Sequence, residues 1–98
     1  MFMYLDSEYK FSKNGSHYRV RLNKMKFTNS KGIYTWNYNV DVWKKVGREY
    51  KQFKGDFWYE DKSEAEAKVN EILSTDDIDP LFTDGFITGI KFKDLIGR

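Results

Sequence analysis

Between Tyr34 and Val42 every second residue is apolar: Tyr34, Trp36, Tyr38, Val40 and Val42 alternate with Thr35, Asn37, Asn39 and Asp41. Successive side chains on a strand point to opposite faces, so Ile33 to Trp43 reads as a strand with one face on a core. A lone strand cannot bury that face, and the flanking sequence supplies partners. Tyr9-Lys10-Phe11-Ser12 predicts a short strand ending in Lys13-Asn14-Gly15-Ser16, where Asn-Gly suits both positive-φ positions of a type I′ hairpin turn. His17 to Phe27 predicts the return strand, with Tyr18, Val20 and Leu22 on one face and Arg19, Arg21 and Asn23 on the other. Met25 and Phe27 continue the apolar set on odd positions, and a bulge near Asn23 or Lys24 would account for the slip.

Thr28 to Gly32 and Lys44-Lys45-Val46-Gly47 read as the next two turns. Arg48 to Tyr59 returns as a strand with Phe53, Phe57 and Tyr59 in phase and a kink at Gly55. A helix follows. Ser63-Glu64-Ala65-Glu66 fits a capping box, and Asp61-Lys62-Ser63-Glu64 offers the same geometry two residues earlier. Ala65, Val69, Ile72 and Leu73 form one apolar stripe, Glu64 and Lys68 are spaced as an i,i+4 pair, and the helix should end near Ser74. Thr75 to Gly85 is an acidic loop holding Pro80, and Phe86 to Phe92 reads as a last strand. The expected fold class is α+β: an antiparallel four- to five-stranded meander sheet with one helix packed across one face, as a single domain over 1–98.

A chain of 98 residues has room for one core, and 18% aromatic residues make that core affordable at this size. The absence of cysteine excludes disulfides and thiolate metal sites. No apolar run reaches the roughly 20 residues that span a bilayer, and Met1-Phe2-Met3-Tyr4-Leu5-Asp6 lacks a leader pattern, so a cytoplasmic location and no membrane partner are expected. Abundant Lys, Asn, Tyr, Phe and Ile with only Ala65 and Ala67 for alanine look like the product of an AT-rich genome, the kind of composition common in phages and mobile elements.

The net charge of +2 hides an asymmetry. Glu8 to Lys54 holds twelve Lys or Arg against three acids, whereas Asp56 to Asp84 holds ten acids against Lys62 and Lys68. The strands are basic and the helix and following loop acidic. If the helix covers one sheet face, the other face and the hairpin tips carry the positive field. Arg19, Arg21, Lys24 and Lys26 come from one strand; Lys44 and Lys45 mark a hairpin tip; Arg48, Lys51 and Lys54 follow. Trp43 and Trp58 lie out of phase with the apolar faces of their strands, so one or both are candidates for exposure among these cations. Cations interleaved with aromatics are what backbone neutralisation and base stacking require. Lysines on strands also guard against edge-to-edge aggregation, which explains part of the same pattern without a ligand.

Three strands and a capped helix over Ile33 to Leu73, with Tyr38-Asn39-Val40-Asp41-Val42-Trp43, Lys44-Lys45-Val46-Gly47-Arg48 and Ser63-Glu64-Ala65-Glu66-Ala67 as the carrying residues, resemble two families. These are the arm-binding DNA-binding domains of tyrosine integrases and the DNA-binding domains of plant ethylene-response factors. The resemblance implies a three-stranded sheet that enters the major groove with the helix bracing it from behind. It covers under half of the chain, and the Phe-x-Thr that opens the family helix is replaced by Tyr59-Glu60-Asp61.

Little points to chemistry. His17 stands alone beside a turn and reads as a solvent-facing strand residue. Asp76, Asp77, Asp79 and Asp84 do not fit a calcium-loop spacing and read as a solvated loop, and Glu60 and Asp61 sit where a helix start favours carboxylates. No phosphate loop or nucleophile motif occurs, so neither an enzyme nor a cofactor is expected. Two binding functions remain. In the first, the chain binds nucleic acid, DNA before RNA: Arg19 and Arg21 reach base edges, Lys24, Lys26, Lys44, Lys45, Arg48, Lys51 and Lys54 supply charge, and Trp43 or Trp58 stacks on a base. In the second, it inhibits a host nucleic-acid enzyme or defence system, as anti-CRISPR proteins do, docking through Glu60, Glu64, Glu66, Asp76, Asp77 and Asp79. Either function is compatible with a monomer or a homodimer.

Overall fold

The computed structural model describes residues 3–82 and 85. Its sheet is antiparallel and follows the chain: β1 (Met3–Lys13), β2 (Ser16–Thr28), β3 (Tyr34–Val46) and β4 (Glu49–Gln52) lie side by side in that order, and β5 (Phe57–Tyr59) also pairs with β3. One helix, α1 (Lys62–Ser74), packs on one face, and a short 3-10 turn follows at Asp79–Leu81. This is the α+β meander with a single covering helix that the patterning implies. The predicted last strand, Phe86 to Phe92, and Asp84 lie outside the described residues.

The β1–β2 turn forms as its residues require: Asn14 has φ 52° and Gly15 φ 79°, both in the left-handed region. The first strand is longer than the pattern Tyr9–Ser12 suggested, because β1 follows β2 back as far as the Met3–Met25 pair. The anticipated bulge lies across from the expected place. Pairing of β2 with β3 runs unbroken from Tyr18–Lys44 to Thr28–Tyr34, whereas β1 shifts register between Leu5 and Ser7, leaving Asp6 as the extra residue. The odd-numbered Met25 therefore marks no slip in β2; it is buried on the second sheet face.

Arg48–Tyr59 is interrupted around Gly55, giving β4 and β5 in place of one strand. Phe82 packs where a Gly55 side chain would stand, its Cδ1 3.3 Å from the position of a Cβ, so a larger residue there would displace the ring. The helix begins at the earlier of its two possible caps. Asp61 Oδ1 accepts from the Ser63 amide at 3.1 Å, and the Asp61 carbonyl accepts from Ala65 N–H at 3.2 Å. The i,i+4 pair with Glu64 is not the one formed: Lys68 bonds Glu71 at 2.9 Å and lies 4.5 Å from the Phe57 ring centroid.

The core joins Tyr18, Val20, Leu22, Val40, Val42 and Phe53 of the sheet to Ala65, Val69 and Ile72 of the helix, with Ile78 and Phe82 closing one end. Each fully buried aliphatic side chain contributes about 1.5–3 kcal/mol, so these few residues hold α1 in place. Among the described residues no element covers the other end of the helix-side face. Thirteen helical residues reach about 20 Å. Thirteen residues of β3 reach about 43 Å. The helix can therefore cover at most about half the length of β3.

Candidate nucleic-acid interface

The half of the sheet beyond the helix carries the exposed aromatics. In the β2–β3 register Lys24 faces Tyr38, Lys26 faces Trp36 and Thr28 faces Tyr34, while Tyr4 of β1 faces Lys24. Residues directly opposite one another share a face, so Tyr4, Lys24, Lys26, Tyr34 and Trp36 stand on the helix side, past the end of the helix. Tyr4 is 43% exposed, Trp36 40% and Tyr34 61%. Across the sheet the order is Tyr4 on β1, the two lysines on β2, and the Trp36 and Tyr34 rings on β3.

The side chains touch one another. Lys26 Nζ lies 3.7 Å from the Tyr34 centroid and 5.9 Å from that of Trp36; Lys24 Nζ lies 5.2 Å from Trp36; Tyr4 meets Trp36 edge-on at 6.4 Å. Beside Trp36, a depression of about 290 Å³ is lined by Thr35, Asn37 and Glu60. Thr35 and Asn37 alternate with Trp36 and so face the second side, and Glu60 follows Tyr59 of β5, the partner of Tyr38.

The second sheet face is not the open positive surface expected of it. Arg21 donates from Nε to Asp41 Oδ1 at 3.0 Å and from an Nη to Asp41 Oδ2 at 2.8 Å, and Asn23 and Trp43 donate to the same carboxylate at 3.0 and 2.9 Å. Asn23 also donates to Asn39, which donates to Asp56. Arg21, Asn23, Asn39, Asp41 and Trp43 are all buried. Of the two tryptophans of which one or both were expected to be exposed, Trp58 is the exposed one, whereas the Trp43 ring is fully enclosed and its N–H is spent on Asp41. Arg21 is held by the same carboxylate, and its guanidinium cannot reach a base edge from there. Arg19 is engaged as well, with Glu8 at 3.1 Å and the Tyr50 ring at 4.5 Å.

The other basic candidates gather at the opposite end of the sheet. Lys45 and Arg48 are exposed around the β3–β4 turn, Lys51 is part-buried across from Lys44, and Lys54 is exposed just after β4. Lys44 lies eight residues along β3 from Trp36, about 27 Å away. The basic candidates thus divide between two ends of the sheet, with Arg21 buried between them, and do not make one patch. Trp58 is 49% exposed, but on β5 it pairs with Asn39 and faces the second side.

Lys44 belongs to a clamp. Its Nζ lies 2.6 Å from Asp79, which also accepts from the Tyr18 hydroxyl at 3.0 Å. The Lys44 hydrogen bond holds the Asp79 carboxyl below its ordinary value, and Asp79 raises the Lys44 ammonium in return. Tyr18 is raised by burial first and then by Asp79. Lys13 donates to the Thr75 carbonyl and Asn14 to that of Asp76, so the acidic loop is tied to the β1–β2 turn. Glu60, Glu64, Glu66, Asp76 and Asp77 remain exposed. His17 is exposed and bonds Ser12 at 2.7 Å.

Among the described residues no three His, Cys, Asp or Glu side chains gather to hold a metal ion, and no helix is long and apolar enough to cross a membrane. The sequence pattern overlooked Tyr34 and Trp36 as binding candidates because alternation assigns them to a core face without saying how far the covering helix extends, and Tyr4 because it precedes the short strand that Tyr9–Ser12 predicts. No family model, curated protein or solved structure matches the chain.

Proposed function

We propose that this protein binds nucleic acid through the uncovered half of its helix-side sheet face, with Lys24 and Lys26 supplying charge and Trp36, Tyr34 and Tyr4 supplying stacking surface. The observation that carries this reading is the row of exposed rings with lysines lying directly on them. A soluble surface does not gather large rings in this way without cost, and a partner that covers them removes it. An ammonium resting on an exposed ring is worth about 0.5–1 kcal/mol. A base stacked on the same ring is worth about 1–3 kcal/mol. Exchange of the lysine for a base therefore gains energy, and the freed lysine finds a phosphate.

Arg21 and Trp43 are left out of this interface, and Lys45, Arg48, Lys51 and Lys54 are too distant to share one short ligand with it. The test is titration of the protein with labelled oligonucleotides at rising salt. Lys24→Ala and Lys26→Ala should each reduce the slope of log K against log salt by about 0.7 for a single strand or 0.9 for a duplex. An unchanged slope in both variants would place the charge contacts elsewhere.

A second reading rests on a separate observation, the exposure of Glu60, Glu64 and Glu66 at the start of the helix and of Asp76 and Asp77 after it. On that reading the acidic surface docks on the nucleic-acid channel of a host enzyme or defence system. Joint replacement of Glu64, Glu66, Asp76 and Asp77 by neutral residues should then abolish inhibition in the host.

A further inference from the structure

The uncovered sheet half has a repeat, and the repeat speaks to the kind of nucleic acid. Tyr34 and Trp36 are two residues apart on one face of β3, as are Lys24 and Lys26 on β2. Along a strand this spacing is about 6.7 Å. The row of cations and the row of rings therefore share one period and lie on neighbouring strands, with the Lys26–Trp36 pair directly opposed. We infer that the site takes single-stranded nucleic acid in preference to duplex, an inference that rests on the nucleic-acid reading above.

In a duplex, successive bases of one strand stack about 3.4 Å apart and face one another. Two rings at twice that spacing cannot receive neighbouring bases without pulling them out of the stack. A single strand has no such restriction, and its backbone can extend until successive bases meet Trp36 and Tyr34. Phosphates follow Lys24 and Lys26 along β2. Tyr4, edge-on to Trp36 from β1, closes the inner side of the row.

Duplex recognition would call on other groups. Guanidinium is the usual reader of guanine in the major groove, and the two arginines of β2 are occupied, Arg21 with Asp41 and Arg19 with Glu8 and Tyr50. Among the described residues no arginine stands on the uncovered half of this face, where the lysines neutralise phosphate and the rings stack on any base. The expected ligand is accordingly a single strand bound with little sequence preference.

The test is a competition between a short oligo-dT and a hairpin duplex of the same phosphate count for the intact protein at low salt. Oligo-dT should bind more tightly. Trp36→Ala should weaken oligo-dT by about tenfold while changing duplex binding little, and Tyr34→Ala should act in the same direction. Trp36→Phe, which keeps a stacking face, should restore most of the affinity and guards against a loss caused by misfolding. Equal or tighter binding of the duplex, with Trp36→Ala indifferent to both ligands, would overturn the single-strand inference and leave the nucleic-acid reading standing. Binding of neither ligand at low salt would overturn both.

Discussion

Arg21 and Asp41 face each other across β2 and β3 as a two-bonded pair, 2.8 and 3.0 Å long, on the side of the sheet away from the helix and almost sealed from water. Their position explains why a chain rich in strand cations does not present all of them to a ligand. The Asp41 carboxylate accepts from Arg21 twice, from Asn23 and from Trp43, so the charge on this face is neutralised internally.

Removing one member of that pair strands the other. Asp41→Ala should lower stability by about 3–5 kcal/mol, since Arg21 is left charged and buried without its main partner. Arg21→Met with Asp41→Leu should recover much of the loss, because a buried ion pair is often replaceable by apolar residues of similar volume. Urea melts of the single and double variants check this, and additive losses in the double variant would contradict it.

The two capping registers offered by the sequence are separable by mutation. Asp61 holds the cap. Asp61→Ala should therefore cost about 1 kcal/mol and Ser63→Ala only a few tenths, measured by thermal or urea unfolding. The reverse ranking would move the helix start to Ser63.

The clamp around Asp79 gives stability a pH dependence with a defined sign. The Asp79 pKa is lowered by Lys44, so its contribution is present above the ordinary carboxylate value and is lost as pH falls through the lowered one. Lys44 and Tyr18 are raised, so theirs are present below their ordinary values and are lost as pH climbs through the raised ones. The Asp79 side chain is half exposed, and solvent screening keeps each contribution below about 1 kcal/mol. Asp79→Asn should flatten both flanks of a stability-against-pH curve relative to the parent. Unchanged flanks would show that other groups set them.

Strand alternation, the Asn14-Gly15 turn and the helix stripe were all readable, since each is a local matter of period or φ. The faces were harder. Trp43 sits out of phase with Val40 and Val42, which suggested exposure; what encloses it is a second buried face whose Arg21 and Asp41 are of opposite sign and directly cross-strand. That pairing becomes visible only once the β2–β3 register is known. Tyr34 and Trp36 posed the opposite problem, apolar in phase yet exposed. Two lengths contained the answer, a helix of about 20 Å and a strand of about 43 Å, because one cannot cover the other. The bulge at Asp6 left no pattern of its own, as β1 alternates too weakly to show an inserted residue.

Tryptophan emission distinguishes the two sheet faces, because Trp36, Trp43 and Trp58 occupy three different settings: the uncovered helix-side half, the sealed interior and the second face. Oligo-dT would be titrated at low salt into the parent, Trp36→Phe and Trp58→Phe. Quenching in the parent and in Trp58→Phe, with most of it lost in Trp36→Phe, is the predicted result. Quenching that survives in Trp36→Phe and disappears in Trp58→Phe would place the ligand on the other face and rule out the Trp36 row as the binding site.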